Sequence, residues 1–501
     1  MRPDARRLER VEAWGMSSSS AGYVYRPTDI SGILDAYKEA ADCELLACFR
    51  GGGNSYGDAF QCTEGVVIDL SRMNRLLSWD SETGVLICEP GMTIREIWRH
   101  VLPDGWWPPV VSGTSFVTMG GALAANIHGK NNYLAGPIGE HILELDLATP
   151  SGELLTCSPD TNSELFYASI GGFGMFGAIV RLAIQMHRIH SGQVQVTAMR
   201  TRNWSQTFSA FETLLPASDY LVAWIDCFAS GSASGRSLIH SAKYYKEGDD
   251  PHPEESLRLS AQELPDTVFG WIARSKMHKL MRPFVRPLGM RLVNSMKFWA
   301  AGREHGKIYP QSLAKFNFLL DSAPNWKHAY KPGWLVQFQC FIESDKAEST
   351  FEKIVALSQG RGFSPFLGVM KKHRNDKFLL SHAVDGYSLA LDYRITSRSS
   401  DAAESLFRLL DETVTAAGGK YYLAKDSVLP VGCAERIWGE QAVRQALSLK
   451  RQVDSGYLLQ SDQFRRVFGQ IPDSQQEYEA GERDESPELS TGSSKMNVEE
   501  E

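Results

Sequence analysis

Phe49-Arg50-Gly51-Gly52-Gly53-Asn54-Ser55-Tyr56-Gly57-Asp58 is the stretch on which the reading of this chain turns. Three consecutive glycines lack a Cβ, so the backbone can take positive φ and approach a ligand closely. Successive N–H groups in such a turn converge on one concavity, a nest that binds anions. Arg50 adds a cation beside it, and Ser55 and Tyr56 add hydroxyl donors. A pyrophosphate cradle is one reading of this loop. A glycine-rich surface loop has the same composition and is the other.

Two further glycine-bearing stretches follow. Ser112-Gly113-Thr114 runs to Thr118-Met119-Gly120-Gly121 and on through small residues to Asn126-Ile127-His128-Gly129-Lys130-Asn131. Either tight helix–sheet packing or a flat ligand asks for such a run, but His128, Lys130 and Asn131 after an apolar helix are not core material. In the third stretch, Gly172, Gly174 and Gly177 spell Gly-x-Gly-x-x-Gly. A dinucleotide-binding turn of the Rossmann kind needs a strand before it, a helix after it and an acid about 20 residues on. Here Glu164 to Ala168 reads as helix before, and Ala178 to Ile184 as strand after. No Asp or Glu occurs from 165 to 211. A nicotinamide-binding Rossmann domain is excluded.

Around these loops, strands are expected at Leu45–Phe49, Gly65–Leu70 and Val85–Pro90, with an N-capped helix after Asp29 and a capping box at Thr93-Ile94-Arg95-Glu96. Beyond about residue 190, strands at Val194–Ala198, Leu221–Asp226 and Trp334–Gln339 and helices at Lys346–Leu357 and Ala402–Ala417, the second stopping at Gly418-Gly419, describe a second unit. The expected class is α+β: an antiparallel sheet covered by helices beside a unit of alternating strands and helices.

The 501 residues exceed what one core organises, and 43% hydrophobic with 22% charged residues fits a soluble enzyme. No apolar run reaches the ~18 residues of a membrane span, and the N-terminus has no signal-peptide pattern. The eight cysteines are scattered without a Cys-x-x-Cys pair and read as reduced core thiols. No spacing resembles a metal site. The net charge of −8 sits in residues 473–501, which hold ten acids and two bases, leaving 50 of each elsewhere. That acidic tail has almost no large apolar side chain and is expected to be disordered. Residues 267–302 contain no acid but seven bases (Arg274, Lys276, Lys279, Arg282, Arg286, Arg291, Lys297), interleaved with Trp271, Ile272, Leu280, Met281, Phe284, Val285 and Leu288. The run reads either as a solvated helix face or as a surface for an anionic membrane.

Taken in order, the loop at Arg50–Asp58, Gly113 to Gly121, His128-Gly129 and Gly171 to Ile179 resemble the flavin-binding domain of the vanillyl-alcohol-oxidase (PCMH-type) family. His128-Gly-Lys-Asn131, with Tyr421-Tyr-Leu-Ala-Lys-Asp-Ser427, is most similar to its branch acting on polyprenyl-phosphate (decaprenylphosphoryl-ribose-like) pentoses. The resemblance implies a flavin domain in two parts, residues 1–190 and a return segment 419–472, enclosing a substrate domain at 191–418. It implies FAD on Arg50, Gly51, Gly52, Gly53, Asn54, Ser55, Tyr56, Gly57, Gly113, Thr118, Met119, Gly120, Gly121, Asn126, Ile127, His128, Ile179 and Tyr422. Asn54 stands where many relatives carry a flavin-linking histidine, so the flavin is expected to be non-covalent. Lys425, Tyr56 and His128 are the catalytic candidates, and Lys130, Trp224, Gln337, Lys371, Ser388 and Lys425 the substrate contacts. Where that branch has a pocket cysteine and a pocket tyrosine, this chain has the Tyr387–Leu391 strand and Asn317.

The implied reaction is oxidation of the 2′-hydroxyl of a lipid-linked pentose to a ketone, the first half of an epimerisation. A separate NAD(P)H-dependent keto-reductase would complete it, with oxygen or a quinone taking the electrons. An oxidase of free alditols or aldonolactones and a non-catalytic flavoprotein scaffold are the alternatives. Nucleic acid is not an expected partner, and the expected location is cytoplasmic with peripheral membrane contact.

Overall fold

The computed structural model describes residues 2–264, 267–268 and 272–469. The acidic stretch 473–501 and Trp271 lie outside the described residues. The fold is α+β and is built on three main sheets. The first has four strands ordered Leu8–Glu12, Ser19–Tyr25, Val66–Asp69, Ala47–Arg50, and the last two run parallel. Ala47–Arg50 delivers the chain into the first glycine loop. Its partner helix Ile30–Asp42 starts where the Asp29 side chain accepts from Gly32 N–H at 2.9 Å, and it buries Ile33, Ala36, Tyr37 and Ala40. An N-cap of this kind contributes about 1 kcal/mol.

The second sheet has five antiparallel strands ordered Leu76–Asp80, Val85–Cys88, Ala178–Gln185, Ile142–Ala148, Leu154–Cys157. Helix Ser163–Ser169 precedes the third glycine stretch and strand Ala178–Gln185 follows it. That order is the reverse of a Rossmann turn. The capping box at Thr93 and Glu96 forms as its spacing requires, with Glu96 N–H on Thr93 Oγ1 and Thr93 N–H on the Glu96 carboxylate.

The third sheet is antiparallel and eight-stranded, ordered Ile308–Ser312, Gln193–Thr201, Ser237–Tyr244, Tyr220–Ile225, Leu367–Lys372, Gly386–Ile395, Trp334–Glu343, Lys420–Tyr421. Helices Trp204–Leu214, Ser344–Gly360 and Ser400–Ala416 bury Phe211, Phe351, Ile354, Leu406 and Leu410 in a core with Ile225, Cys340 and Leu389. The opposite face of the sheet lines the cavity described below.

After its two residues in this sheet, the chain returns to the first one. Ala47 N–H donates to Leu458 O and Gln460 N–H to Ala47 O, both at 2.8 Å. All eight cysteines are free thiols, and only Cys43 is not buried.

Candidate active site

A single cavity of about 700 Å³ is lined by all three glycine-bearing stretches and by one face of the eight-stranded sheet. The first two loops are stitched together. Gly52 N–H donates to Thr118 Oγ1 at 3.3 Å and Asn54 Nδ2 to Phe116 O at 3.1 Å. A Cβ on Gly51 would collide with Thr118 Oγ1, and Gly53 has φ +63°, so neither position takes a larger residue without strain. Beside this cradle, Arg50 Nε is buried without a hydrogen-bond partner. A bare main-chain turn with an unsatisfied guanidinium fits the pyrophosphate of a dinucleotide.

Fifteen of the eighteen residues expected at the cofactor line this cavity, from Arg50 through Tyr56, Gly113, Thr118, Gly120, Gly121, Ile127, His128, Ile179 and Tyr422. Gly57, Met119 and Asn126 do not. Gly57 lies against the Asp426 carbonyl. Met119 is 2% exposed within the core, its N–H on Met92 O. Asn126 takes φ +41° and accepts Gly139 N–H through Oδ1 at 3.0 Å, which makes it a turn former.

The sheet's contribution follows from strand alternation. Antiparallel register pairs Gln337 with Asp392, Gln339 with Ala390, Ser388 with Lys371, Ala390 with Val369, Val369 with Trp224, and Val222 with His240. Cross-strand partners share a face, so these residues floor one side of the cavity, with Asp392 fully buried behind Gln337. Lys130, Trp224, Gln337, Lys371, Ser388 and Lys425 all line it.

Lys425 is held by its neighbours in the chain. Tyr56 N–H donates to Ala424 O at 2.9 Å. Arg466 binds Asp58 through two hydrogen bonds (2.9 and 2.8 Å) and Asp426 through a third at 2.7 Å, clamping the end of the glycine loop to the Lys425 segment. The ammonium of Lys425 then sits 3.7 Å from the centroid of the Tyr56 ring. Burial drives its pKa well down. The buried Asp392 carboxylate opposes that shift, and repulsion from Lys371 reinforces it. Asp392 is itself raised by burial and hydrogen-bonded to Gln337. Burial also lifts the Tyr56 phenol far above its ordinary value, so it stays protonated.

His128 Nδ1 lies 3.5 Å from Lys371 Nζ, and its Nε2 lies 3.0 Å from the Gln339 amide. Burial and the Lys371 charge hold the ring neutral. The ring is thus flanked on both nitrogens, by the Lys371 amine at Nδ1 and by the Gln339 amide nitrogen at Nε2. His373, which sequence reasoning missed, bridges Asn132 Oδ1 (2.9 Å) and Ser388 Oγ (2.8 Å) beneath His128. The signal was present: Lys371 and His373 are two apart and share a side. Lys130 is a strut as well as a lining residue, since its ammonium donates to Phe316 O and lies 4.4 Å from that ring's centroid. Among the described residues, the exposed His252, Glu254 and Glu255 have ligand atoms within 4.8 Å of one another, and none of the three lines the cavity.

Comparison with known proteins agrees with the cradle. Residues 21–158 match the family model described as an FAD binding domain. The chain is 29% identical to decaprenylphosphoryl-β-D-ribose oxidase of Mycolicibacterium smegmatis, over 92% of this chain and 97% of that one. It is 30% identical to cytokinin dehydrogenase 3 of Arabidopsis thaliana over 32% of each chain. With L-gulonolactone oxidase of Bos taurus it shares 27% identity, over 32% of this chain and 36% of that one. The chain is an FAD-dependent oxidoreductase whose residues 21–158 match an FAD binding domain and which is similar along nearly its whole length to a decaprenylphosphoryl-β-D-ribose oxidase.

Proposed function

We propose that this enzyme oxidises a secondary hydroxyl of a pentose, the 2′-hydroxyl of a polyprenyl-phosphate sugar, to a ketone. The observation that carries the reading is Lys425 stacked on Tyr56 where the flavin cradle meets the polar face of the sheet. Bound FAD supplies a two-electron acceptor for the hydride leaving the carbinol carbon. The protein's part is to orient the sugar and receive the hydroxyl proton. Tyr56 is held protonated, and both ring nitrogens of His128 are occupied, one by Lys371 and the other by Gln339. Lys425 is therefore the base, its depressed pKa giving a neutral amine near neutral pH. Tyr56, Gln337, Ser388 and Lys371 position the sugar. The ketone stays attached to its carrier, ready for a separate NAD(P)H-dependent keto-reductase.

The test is anaerobic incubation of the holoenzyme with a panel of sugars while the flavin band is followed. Bleaching at micromolar prenyl-phosphoryl ribose is expected, with free ribose, alditols and aldonolactones far weaker. Preferential bleaching by free alditols or aldonolactones would overturn the substrate. No bleaching by any sugar would leave a binding protein.

The flavin is held without a covalent bond. Asn54 has no nucleophilic nitrogen to join it, and its amide is engaged by Phe116 O. Acid precipitation is expected to leave the yellow colour in the supernatant, and a yellow pellet would contradict this.

Membrane contact belongs to the same reading. No helix among the described residues is long and apolar enough to cross a bilayer. Helix Pro287–Ala300, however, presents Leu288, Leu292, Met296 and Trp299 at 84%, 57%, 63% and 69% exposure along one face. A solvated face would be polar there. With Arg282, Arg286 and Arg291 nearby and no acid from 267 to 302, this is the pattern of a helix lying in an anionic interface. Cosedimentation with phosphatidylglycerol vesicles is expected and should fall at least tenfold in Leu292→Asp/Trp299→Asp. Unchanged cosedimentation would remove the helix from the membrane.

A further inference from the structure

The cavity extends past the residues assigned to flavin and sugar to a wall made by Val222, Trp224 and His240, closed by Lys297. Lys297 comes from the helix whose opposite face carries the exposed apolar stripe. The helix is anchored inward by two buried residues. Asn294 Nδ2 donates to Asp226 Oδ1 at 3.1 Å, and Phe298 packs with Trp224 and Leu238. This puts the Lys297 ammonium 4.3 Å from the centroid of the Trp224 ring, at the rim of the cavity it helps to line, with the side chain still exposed to solvent.

What this wall lacks is negative charge. Among the described residues no carboxylate lies within salt-bridge distance of Lys297. Asp226, at the end of the strand that carries Trp224, is taken by Arg236 and Asn294. His240, opposite Val222 in register, is held neutral at a pKa of about 4 by burial and by the charges of Lys297 and Lys130. Crowding by protein lowers the Lys297 ammonium to about 8. A cation on a cavity wall without an acid partner is unfavourable until an anion arrives. The Arg50 cradle lies on a different wall and is matched to the flavin pyrophosphate, so it does not supply that anion.

We propose that Lys297, with His240 and the Trp224 face, forms a phosphate-ester subsite that receives the anionic group of the substrate. The inference rests on the proposed phosphorylated sugar and assigns its charged end to a position. Trp224 offers an apolar plate beside the cation, suited to the first prenyl carbons next to a phosphate. The same helix that meets the bilayer through Leu292, Met296 and Trp299 thus presents an ammonium to the cavity on its inner side. Two phosphate esters share this chemistry, a prenyl phosphate and a sugar phosphate.

The experiment titrates the oxidised holoenzyme with geranyl phosphate and, separately, with ribose 5-phosphate, following the perturbation of the flavin absorption band. Geranyl phosphate carries no sugar and cannot turn over. A saturable change is expected in the wild type. In Lys297→Met, which keeps an unbranched side chain over Trp224, the half-saturating concentration should rise at least tenfold. In Lys297→Arg it should stay within threefold. The tighter ester identifies the source of the phosphate. Retained flavin absorbance reports that each variant is folded. A wild type that neither ester perturbs, a Lys297→Met that titrates like wild type, or a Lys297→Arg as weak as Lys297→Met would each overturn the subsite. If the anaerobic panel instead shows bleaching by free alditols alone, the substrate reading fails. The geranyl phosphate titration still decides the subsite.

Discussion

Lys425→Ala is expected to bind FAD and to lose sugar-driven flavin bleaching by about 10²- to 10⁴-fold, the range a positioned general base contributes. Lys425→Arg should be nearly as slow. It keeps the positive charge over Tyr56 but cannot give up its proton. That pair of results separates a base from an electrostatic contact, since a contact alone would survive in the arginine variant. The pH dependence follows from the direction of the shift. The active form is the neutral amine, and burial together with Lys371 lowers the Lys425 pKa. The bleaching rate therefore rises with pH along a limb below the ordinary lysine range and then levels. Asp392 opposes the lowering, so Asp392→Asn moves that limb to still lower pH. Single-turnover bleaching rates across pH provide the check. A Lys425→Ala rate within threefold of wild type, with flavin bound, would remove Lys425 from the chemistry.

The sequence made local features legible because local features have local causes. The capping pair Thr93 and Glu96, the helix stop at Gly418 with φ +72°, and the strand after the third glycine stretch are each set by a few adjacent residues. The cradle at Arg50 to Tyr56 was legible for the same reason. The floor of the site was legible only through the family resemblance, which gave Trp224, Gln337, Lys371 and Ser388 but neither Asp392 nor His240. Gln337, Asp392, Lys371, Trp224 and His240 come from five strands whose pairing depends on contacts far apart in the chain. A period of two says which residues share a face but not which strands are neighbours. Asp392 reads in sequence as one more acid, and only the sheet pairing sets it against Gln337 where its charge acts on Lys425. Lys297 shows the converse. In sequence it is one of seven bases in an ambiguous run, and the anchoring of Asn294 and Phe298 sets it over Trp224 at the cavity rim while the apolar stripe faces away. Met119 and Asn126 sit among true lining residues, and sequence order alone could not separate them from Thr118 and Ile127.

The second large effect lies in the core behind the cofactor. Lys450→Met is expected to destabilise the protein by about 3–5 kcal/mol, because removing one partner leaves the other charge buried. Lys450 is 0% exposed, and its three ammonium protons go to Asp454 Oδ2 (2.7 Å), Met175 O (2.9 Å) and Leu459 O (2.8 Å). Asp454 in turn accepts Leu458 N–H at 2.8 Å and Leu459 N–H at 2.9 Å. Met175 belongs to the third glycine stretch, and Leu458 and Leu459 flank the strand that opens the first. The pair therefore staples two of the three glycine-bearing stretches to helix Glu440–Val453. Loss of the staple should release flavin before the protein unfolds, read as flavin fluorescence rising below the thermal midpoint. Lys450→Met/Asp454→Leu should recover part of the lost stability, since no charge is then stranded, but it should not restore flavin retention, because the hydrogen bonds to Met175 and Leu459 remain missing. Single and double variants that melt alike and keep their flavin would show that packing alone holds the return segment against the cradle.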